Sequence, residues 1–385
     1  MQDLNAIRLK IDGYKAKVKT ASDLYVINGT RGEPRGFQRL IDLMDQSGLS
    51  FYETDDAGRA KRKGLIAVND VILIKINAQW DQRGGTNTDL IKTLITVILD
   101  HPDGFHGEIV IADNGQGRGS MDWEHNNAED PSQSIQSVVN AFSDSMISTY
   151  LWDNIREITV KEYSNNDLND GYVVNQVSNQ TTGINVSYPK FRTSFGTYLS
   201  FKNGIWNQKI KNYDDQRLKI FNIPVLKSHR LYGATACVKH YMGVVSRHLT
   251  NAHESVGTGG MGTEMVETRM PTFNLIDAIW INATPGNGPG TTYSEAVNTN
   301  LIAGSIDPVA LDYWAAKHVL LKTAQLRKHQ LPLLMDPDNE SDSSFGKWLR
   351  LSMHEINKSG YHTTMDEEQM NVYVANIKKT ASISS

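Results

Sequence analysis

Asp70-Val-Ile-Leu-Ile-Lys-Ile-Asn77 is followed by the loop Arg83-Gly-Gly-Thr-Asn-Thr88, then by Asp89-Leu-Ile-Lys-Thr-Leu-Ile-Thr-Val-Ile-Leu99 and, past His101-Pro102, by Glu108-Ile-Val-Ile-Ala112. The first and last of these are near-continuous apolar runs, the pattern of strands covered on both faces of a parallel sheet. The middle one places its apolar residues at helical spacing, and Asn87 or Thr88 stands where a cap for its first turn belongs. Strand, helix and strand make a β-α-β unit over residues 70 to 113, whose crossover should be right-handed. The expectation is an α/β fold: a mostly parallel, doubly wound sheet with helices on both faces and ligands outside the carboxyl ends of its strands.

Further along, Asp130-Pro131 sets a capping residue before Pro at a first helical position and predicts a helix to about Phe142. Residues 147 to 211 are rich in Tyr, Asn, Ser and Thr, with short β-prone runs and turn signals at Asn169-Asp-Gly171 and Thr182-Gly183. An inserted antiparallel lobe is expected there. The sheet resumes at Leu218 to Lys227, followed by a helix around Thr235 to Val245 and a strand at Ala278 to Asn282. An irregular Gly- and Pro-rich loop (Thr284 to Gly290), a short strand (Leu301 to Ser305) and a helix from Asp307-Pro308 to about Leu321 come next. Helices near Phe345 to Asn357 and Met365 to Ile377 close the chain. The organisation expected is an N-terminal segment packing on the core (1–69), a first part of the core (70–146), an inserted β-rich lobe (147–211), a second part of the core (212–325) and a helical C-terminal segment (326–385).

With 385 residues, 39% hydrophobic, 21% charged and a net charge of −4, the chain belongs with ordinary globular proteins. Lys and Arg are scattered, and only Arg59 to Lys63 forms a short basic run, read as a solvated loop, so the footprint of a nucleic-acid binder is missing. Cys237 is the only cysteine, which excludes an intrachain disulfide framework and an iron–sulfur cluster held by several thiolates of this chain. No stretch reaches the roughly 18 consecutive apolar residues of a membrane helix, and Met1 to Lys10 lacks the apolar run of a signal peptide. The chain as given reads as cytoplasmic, or as extracytoplasmic if an export signal has been removed. Its oligomeric state is not indicated.

The chemistry concentrates in Ile223-Pro-Val-Leu-Lys-Ser-His229 and Thr235-Ala-Cys-Val-Lys-His-Tyr-Met-Gly243. At a strand end Lys227 and His229 point to the same side, and Lys239 lies on the helix that follows. Two ammonium groups and an imidazole sharing one crevice would depress a lysine's pKa toward a usable base, and would hold a carboxylate or phosphate. Lys75 and Asn77 repeat the theme at an earlier strand end. The loop with Arg83, Thr86 and Thr88 opens a helix whose free N–H groups attract anions, and Asp113 and Asn114 would complete the pocket. The plainer reading of these residues is solvated lysines, strand-end capping and loop packing. His229 and His253 are the expected ligands if a divalent metal is bound, although no HExxH or CxxC spacing is present. Cys237, inside an apolar helical stretch, reads as a buried structural cysteine.

The succession Ile74-Lys-Ile-Asn77, Phe221-Asn-Ile-Pro-Val-Leu-Lys-Ser-His229, Thr235 to Lys239 with Tyr241-Met-Gly243, Asp277, Gly288-Pro-Gly290 and Ser305-Ile-Asp-Pro-Val-Ala-Leu-Asp312 resembles the domain of unknown function family DUF362. The resemblance runs from about residue 70 to 320 and rests on the order of these motifs rather than on any one of them. It implies the α/β fold and the site's location, and it adds Gly288 and Gly290 to the residues expected at the substrate. Lys239-His240 stands where the family usually has a lysine-asparagine pair. The iron–sulfur module carried by many relatives has no counterpart here, because the cysteines are missing.

The reading that follows is an enzyme acting on a small anionic substrate by proton transfer or elimination, with Lys227, His229 and Lys239 as its catalytic groups. Lys75, Asn77, the loop of residues 83 to 88, Asp113, Asn114, Gly288 and Gly290 would hold the substrate. Two other readings remain: a non-catalytic anion- or metal-binding protein using the same cleft, and a structural or surface protein that self-associates through residues 147 to 211.

Overall fold

The computed structural model describes residues 22–55, 63–164, 166–329 and 333–377. Met1 to Lys10, and all of the basic run except Lys63, lie outside the described residues. In chain order the first elements are β1 (Ser22–Asn28), α1 (Pro34–Ser47), β2 (Val71–Lys75), α2 (Thr88–Leu99), β3 (Glu108–Asp113), α3 (Ile135–Asn140) and β4 (Ile147–Leu151). The strands β2, β3 and β4 lie side by side and parallel. Asn87 caps α2, its side-chain oxygen accepting from the Leu90 N–H at 3.1 Å. Asp130-Pro131 starts no helix. The Asp130 carboxylate accepts from both the N–H and the hydroxyl of Ser132 and closes a turn, so α3 begins later, under a Ser134 cap.

The next five strands, β5 (Gly171–Val174), β6 (Ser187–Arg192), β7 (Tyr198–Ser200), β8 (Gly204–Asn207) and β9 (Asn212–Asp214), form a separate antiparallel sheet. This is the inserted β-rich lobe. Ile147 to Leu151, read above as its beginning, instead extends the parallel sheet beside β3.

The main sheet resumes with β10 (Leu218–Asn222), β11 (Val225–His229) and β12 (Gly233–Thr235), then α4 (Cys237–His240), α5 (Gly260–Glu267), β13 (Phe273–Asn282) and β14 (Val297–Ser305). A helix follows as α6 (Pro308–Ala315), a π-helical turn and α7 (Lys322–Leu326), and the described chain ends with α8 (Phe345–Lys358) and β15 (Met370–Asn376). The order across the sheet is β15-β1-β14-β13-β10-β2-β3-β4, with β11 and β12 continuing beside β13. Within it, β14 is antiparallel to both neighbours and β12 is antiparallel to β11, while every other pairing is parallel.

Two further readings of the sequence need correction. Residues 365 to 377 hold a strand rather than a helix: Met370 to Asn376 pair in parallel with Ser22 to Asn28, and the rings of Tyr373 and Tyr25 stack at 5.6 Å. The β-branched and aromatic residues Val372, Tyr373 and Val374 suit that pleated surface better than a helix. The segment before residue 70 packs on the core through α1 and also contributes an interior strand, β1. The second correction concerns Leu218 to Lys227, which is two strands. Pro224 has no N–H to give to a ladder, and the chain breaks there before resuming along the same edge of β13.

Alternate residues of the central strands enter opposite cores. Leu73, Val110 and Ile220 pack on one face, and Ile72, Ile74, Ile109 and Ile111 on the other. Burial on both faces is why these strands read as unbroken apolar runs. It also leaves the carboxyl ends of β2, β3 and β11, all parallel, as the places where polar groups emerge on one side of the sheet. Among the described residues no helix is long and apolar enough to cross a membrane.

Candidate active site

At those strand ends a cavity of about 590 Å³ opens. Lys75 is the last residue of β2, Asp113 the last of β3, and Lys227 and His229 share one side of β11 by the two-residue period. All four line the cavity with Lys239 from α4. The short helix α4 is held by Asp312 of α6, whose carboxylate accepts from the N–H groups of Cys237 at 2.6 Å and Val238 at 2.9 Å. Asp307 in turn caps α6 through the N–H groups of Val309 and Ala310. The two aspartates of the segment Ser305 to Asp312 thus fix the height at which Lys239 enters the cavity.

Lys75 is fully buried and fully engaged. Its ammonium donates to Asp113 Oδ1 at 2.7 Å, to the Ile76 carbonyl at 3.0 Å and to His240 Nε2 at 3.0 Å. Asn222 donates its amide to the Cys237 carbonyl and to Asn274, so its oxygen accepts from His240 Nδ1 at 2.7 Å and leaves Nε2 bare for Lys75. Burial pushes Lys75 down and Asp113 up from their ordinary pKa ranges, and each opposes the other's shift. Three acceptors around three N–H bonds identify an ammonium facing a carboxylate. Gly243 makes the pair possible, because a Cβ there would lie 2.3 Å from Asp113 Oδ1 and 2.5 Å from Lys75 Nζ.

Lys227 and Lys239 are different. Lys227 donates to the Gly84 carbonyl at 2.6 Å, and Lys239, whose ammonium lies 5.5 Å from the Tyr232 ring, has no hydrogen bond or ion pair among the described residues. Burial, reinforced by the Lys239 charge, brings Lys227 from 10.5 to about 7; burial and the Arg247 charge do the same for Lys239. Two such groups sharing a cavity titrate as a pair, so near neutral pH an amine and an ammonium coexist there.

His229 is a donor. Its Nδ1 accepts from the backbone N–H groups of Leu231 and Tyr232, each at 3.2 Å, which assigns the proton of the neutral ring to Nε2. Burial and the two lysines hold its pKa down at about 2, so the ring stays neutral. In that tautomer Nε2 is protonated, an arrangement suited to hydrogen-bond donation, whereas a ligating nitrogen must be bare. The rings of His229 and His253 stand 6.5 Å apart, and among the described residues no three His, Cys, Asp or Glu side chains gather to hold a metal.

Asn77, Asn114 and Gly288 also line the cavity. Gly288 has φ +89 and approaches the Ser228 carbonyl more closely than any Cβ would allow. Four expected substrate contacts serve the chain itself instead. The Arg83 guanidinium donates to Asn127 Oδ1 and the Ala128 carbonyl and lies over the rings of Trp280 and Tyr293. Thr86 links the Asn77 N–H to the Ile223 carbonyl, Thr88 donates to the Gln133 carbonyl, and Gly290 packs on Trp80. Three of the N–H groups around the start of α2 are spent as well: Asn87 donates to Asp277, Thr88 to the Asn127 carbonyl and Leu90 to Asn87. The loop's contribution is the Gly84 carbonyl that holds Lys227.

Sequence reasoning missed three arginines at the cavity mouth: Arg118, Arg230 and Arg247. Arg118 had a signal, because Gly115-Gln-Gly-Arg-Gly119 directly follows a parallel strand, and Arg230 adjoins His229. Arg247 had none. The side-chain oxygens of Asn77 and Thr235 and the indole N–H of Trp80, all on the wall, are buried without a partner among the described residues. Unpaired polar atoms around a cationic hollow are suited to a polar ligand. A more open groove of about 800 Å³ beside α8 brings together no comparable set of buried charges.

No curated protein and no solved structure matches the chain. Residues 218–317, the stretch from β10 through α6 that supplies Lys227, His229, Lys239 and Asp312, match the model of the family described as Domain of unknown function (DUF362), in agreement with the resemblance carried by the sequence motifs.

Proposed function

We propose that the protein is an enzyme that moves a proton on a small anionic substrate, at a carbon next to a carboxylate, with or without elimination of a neighbouring group. The observation that carries this reading is the pair Lys227 and Lys239: two buried lysines in one cavity, neither in a hydrogen bond or ion pair with a carboxylate among the described residues, both brought to about 7. The neutral amine takes the proton, while the remaining ammonium and the His229 Nε2–H receive the negative charge that develops on the carboxylate oxygens. For an elimination the same ammonium supplies the proton that leaves with the departing group. Lys75 and Asp113 cancel each other's charge and act as the wall against which the pair is set.

The test works without first identifying the substrate. A panel of small hydroxy-, amino- and phospho-carboxylates is incubated with the protein in D2O and followed by proton NMR, which registers exchange at the α carbon and vinyl signals from elimination. Exchange or elimination should appear with at least one member, and should fall by about 10²–10⁴-fold in Lys227→Met and Lys239→Met. Stoichiometric retention of an anion with no exchange on any member of the panel would replace this reading with a binding protein.

A further inference from the structure

The inner lysines account for one negative group of a ligand, and the mouth of the same cavity is built for another. Arg118, Arg230 and Arg247 are exposed there, and none of the three guanidinium groups has a hydrogen bond or ion pair among the described residues. Two of them are brought together by the fold. Gln116, in a left-handed turn at φ +56, donates its amide to the carbonyls of Met242 and Val245, each at 2.8 Å, and accepts from the Arg247 N–H at 3.0 Å. This clamps the loop carrying Arg118 onto the loop carrying Arg247. Arg118 is further placed near Trp80, 5.8 Å from its ring. The only carboxylate on the cavity wall among the described residues is Asp113, already taken by Lys75.

We infer that the substrate carries two anionic groups, a carboxylate that enters between Lys227, Lys239 and His229, and a phosphate ester that remains at the mouth among Arg118, Arg230 and Arg247. This rests on the proton-transfer reading for its inner half. A phosphate suits the mouth better than a second carboxylate. It offers three terminal oxygens to three forked donors, where a carboxylate has two, and it brings up to about two negative charges. The charges are complementary, with about one positive charge left over. The inner pair contributes about one positive charge near neutral pH and the mouth three, against about three negative charges on a phosphorylated carboxylate. The cavity is large enough to hold both groups at once.

The test is calorimetric binding of 2-phosphoglycolate and its two halves, glycolate and methyl phosphate, to the full chain at low salt. Phosphoglycolate is expected to bind at least about a hundredfold more tightly than either half, and Arg118→Gln and Arg247→Gln to weaken it by roughly tenfold each, with glycolate unaffected in Arg118→Gln, the arginine whose charge does not act on Lys239. These residues are exposed, so the variants should fold normally. Lys239→Met is expected to weaken both phosphoglycolate and glycolate. Equal affinity for phosphoglycolate and glycolate, or arginine variants that leave phosphoglycolate binding unchanged, overturns the inference while the inner site stands. Glycolate binding that ignores Lys239→Met overturns the inner-site reading itself, and no binding of any of the three probes overturns both.

Discussion

Lys75 and Lys227 occupy corresponding places, each buried at the carboxyl end of a parallel strand and each lining one cavity, yet they have opposite surroundings. Lys75 meets Asp113, a carbonyl and a bare imidazole nitrogen, one acceptor for every N–H. Lys227 meets one carbonyl and has another ammonium, that of Lys239, as its strongest charged neighbour. Burial acts on both in the same direction. What separates them is whether a carboxylate is hydrogen-bonded to the ammonium, and under the proposed function that difference makes the first a member of the framework and the second a group held for the substrate.

The largest expected effect follows from the framework half. Lys75→Met leaves the Asp113 carboxylate buried with only the Ala78 N–H, and should cost about 3–5 kcal/mol in urea unfolding. Replacing both partners together, Lys75→Met with Asp113→Leu, should recover much of that loss, because an apolar pair leaves no charge stranded. If the single variant proves as stable as the wild type, the contrast between the two lysines fails.

The functional half carries the opposite sign. Unfolded, Lys227 and Lys239 titrate at 10.5; folded, at about 7. Between those values the unfolded chain holds protons that the folded one has released, so their contribution to stability rises with pH across that window. Below it both states are charged and the whole cost of burial is present. Lys239→Met should therefore melt a few degrees above the wild type near about pH 6, with the gap closing toward about pH 10. A gap of the same size at both ends would show that Lys239 is not depressed.

How much of this the sequence could disclose depends on distance along the chain. The β-α-β unit was legible because its strands are buried on both faces, which writes Val71 to Lys75 and Glu108 to Asp113 as apolar runs without reference to anything remote. The meeting of Lys75 with Lys227 was legible for a related reason: both leave parallel strands of one sheet at the same end. The strand Met370–Asn376 was not, because its apolar spacing also fits a helix and its partner, Ser22–Asn28, comes from the other end of the chain. The loop of residues 83 to 88 misled in the same way. A Gly-rich turn before a helix reads as an anion cradle, but the N–H groups of Asn87 and Thr88 go to Asp277 and Asn127, which sequence spacing cannot place. Of the three arginines at the mouth, Arg247 depends on Gln116, more than a hundred positions earlier, for its orientation.

The smallest expected effect concerns how Lys239 is held rather than what it does. Asp312 accepts the two N–H groups that open α4, and its carboxyl is pushed up to about 7 by burial. Asp312→Asn keeps one acceptor and turns an amide N–H toward the other donor, so a loss on the order of 1–2 kcal/mol is expected, the size of a removed helix cap. No charge leaves the cavity wall, and Lys239 keeps its burial and the Arg247 charge that depress it. The pH dependence of the difference between Lys239→Met and Lys239 should thus survive in the Asp312→Asn background, while both proteins melt lower. If that dependence vanished instead, the ammonium would owe its depressed pKa to the position that Asp312 enforces, and the distinction between the two lysines would be one of placement as much as of counter-charge.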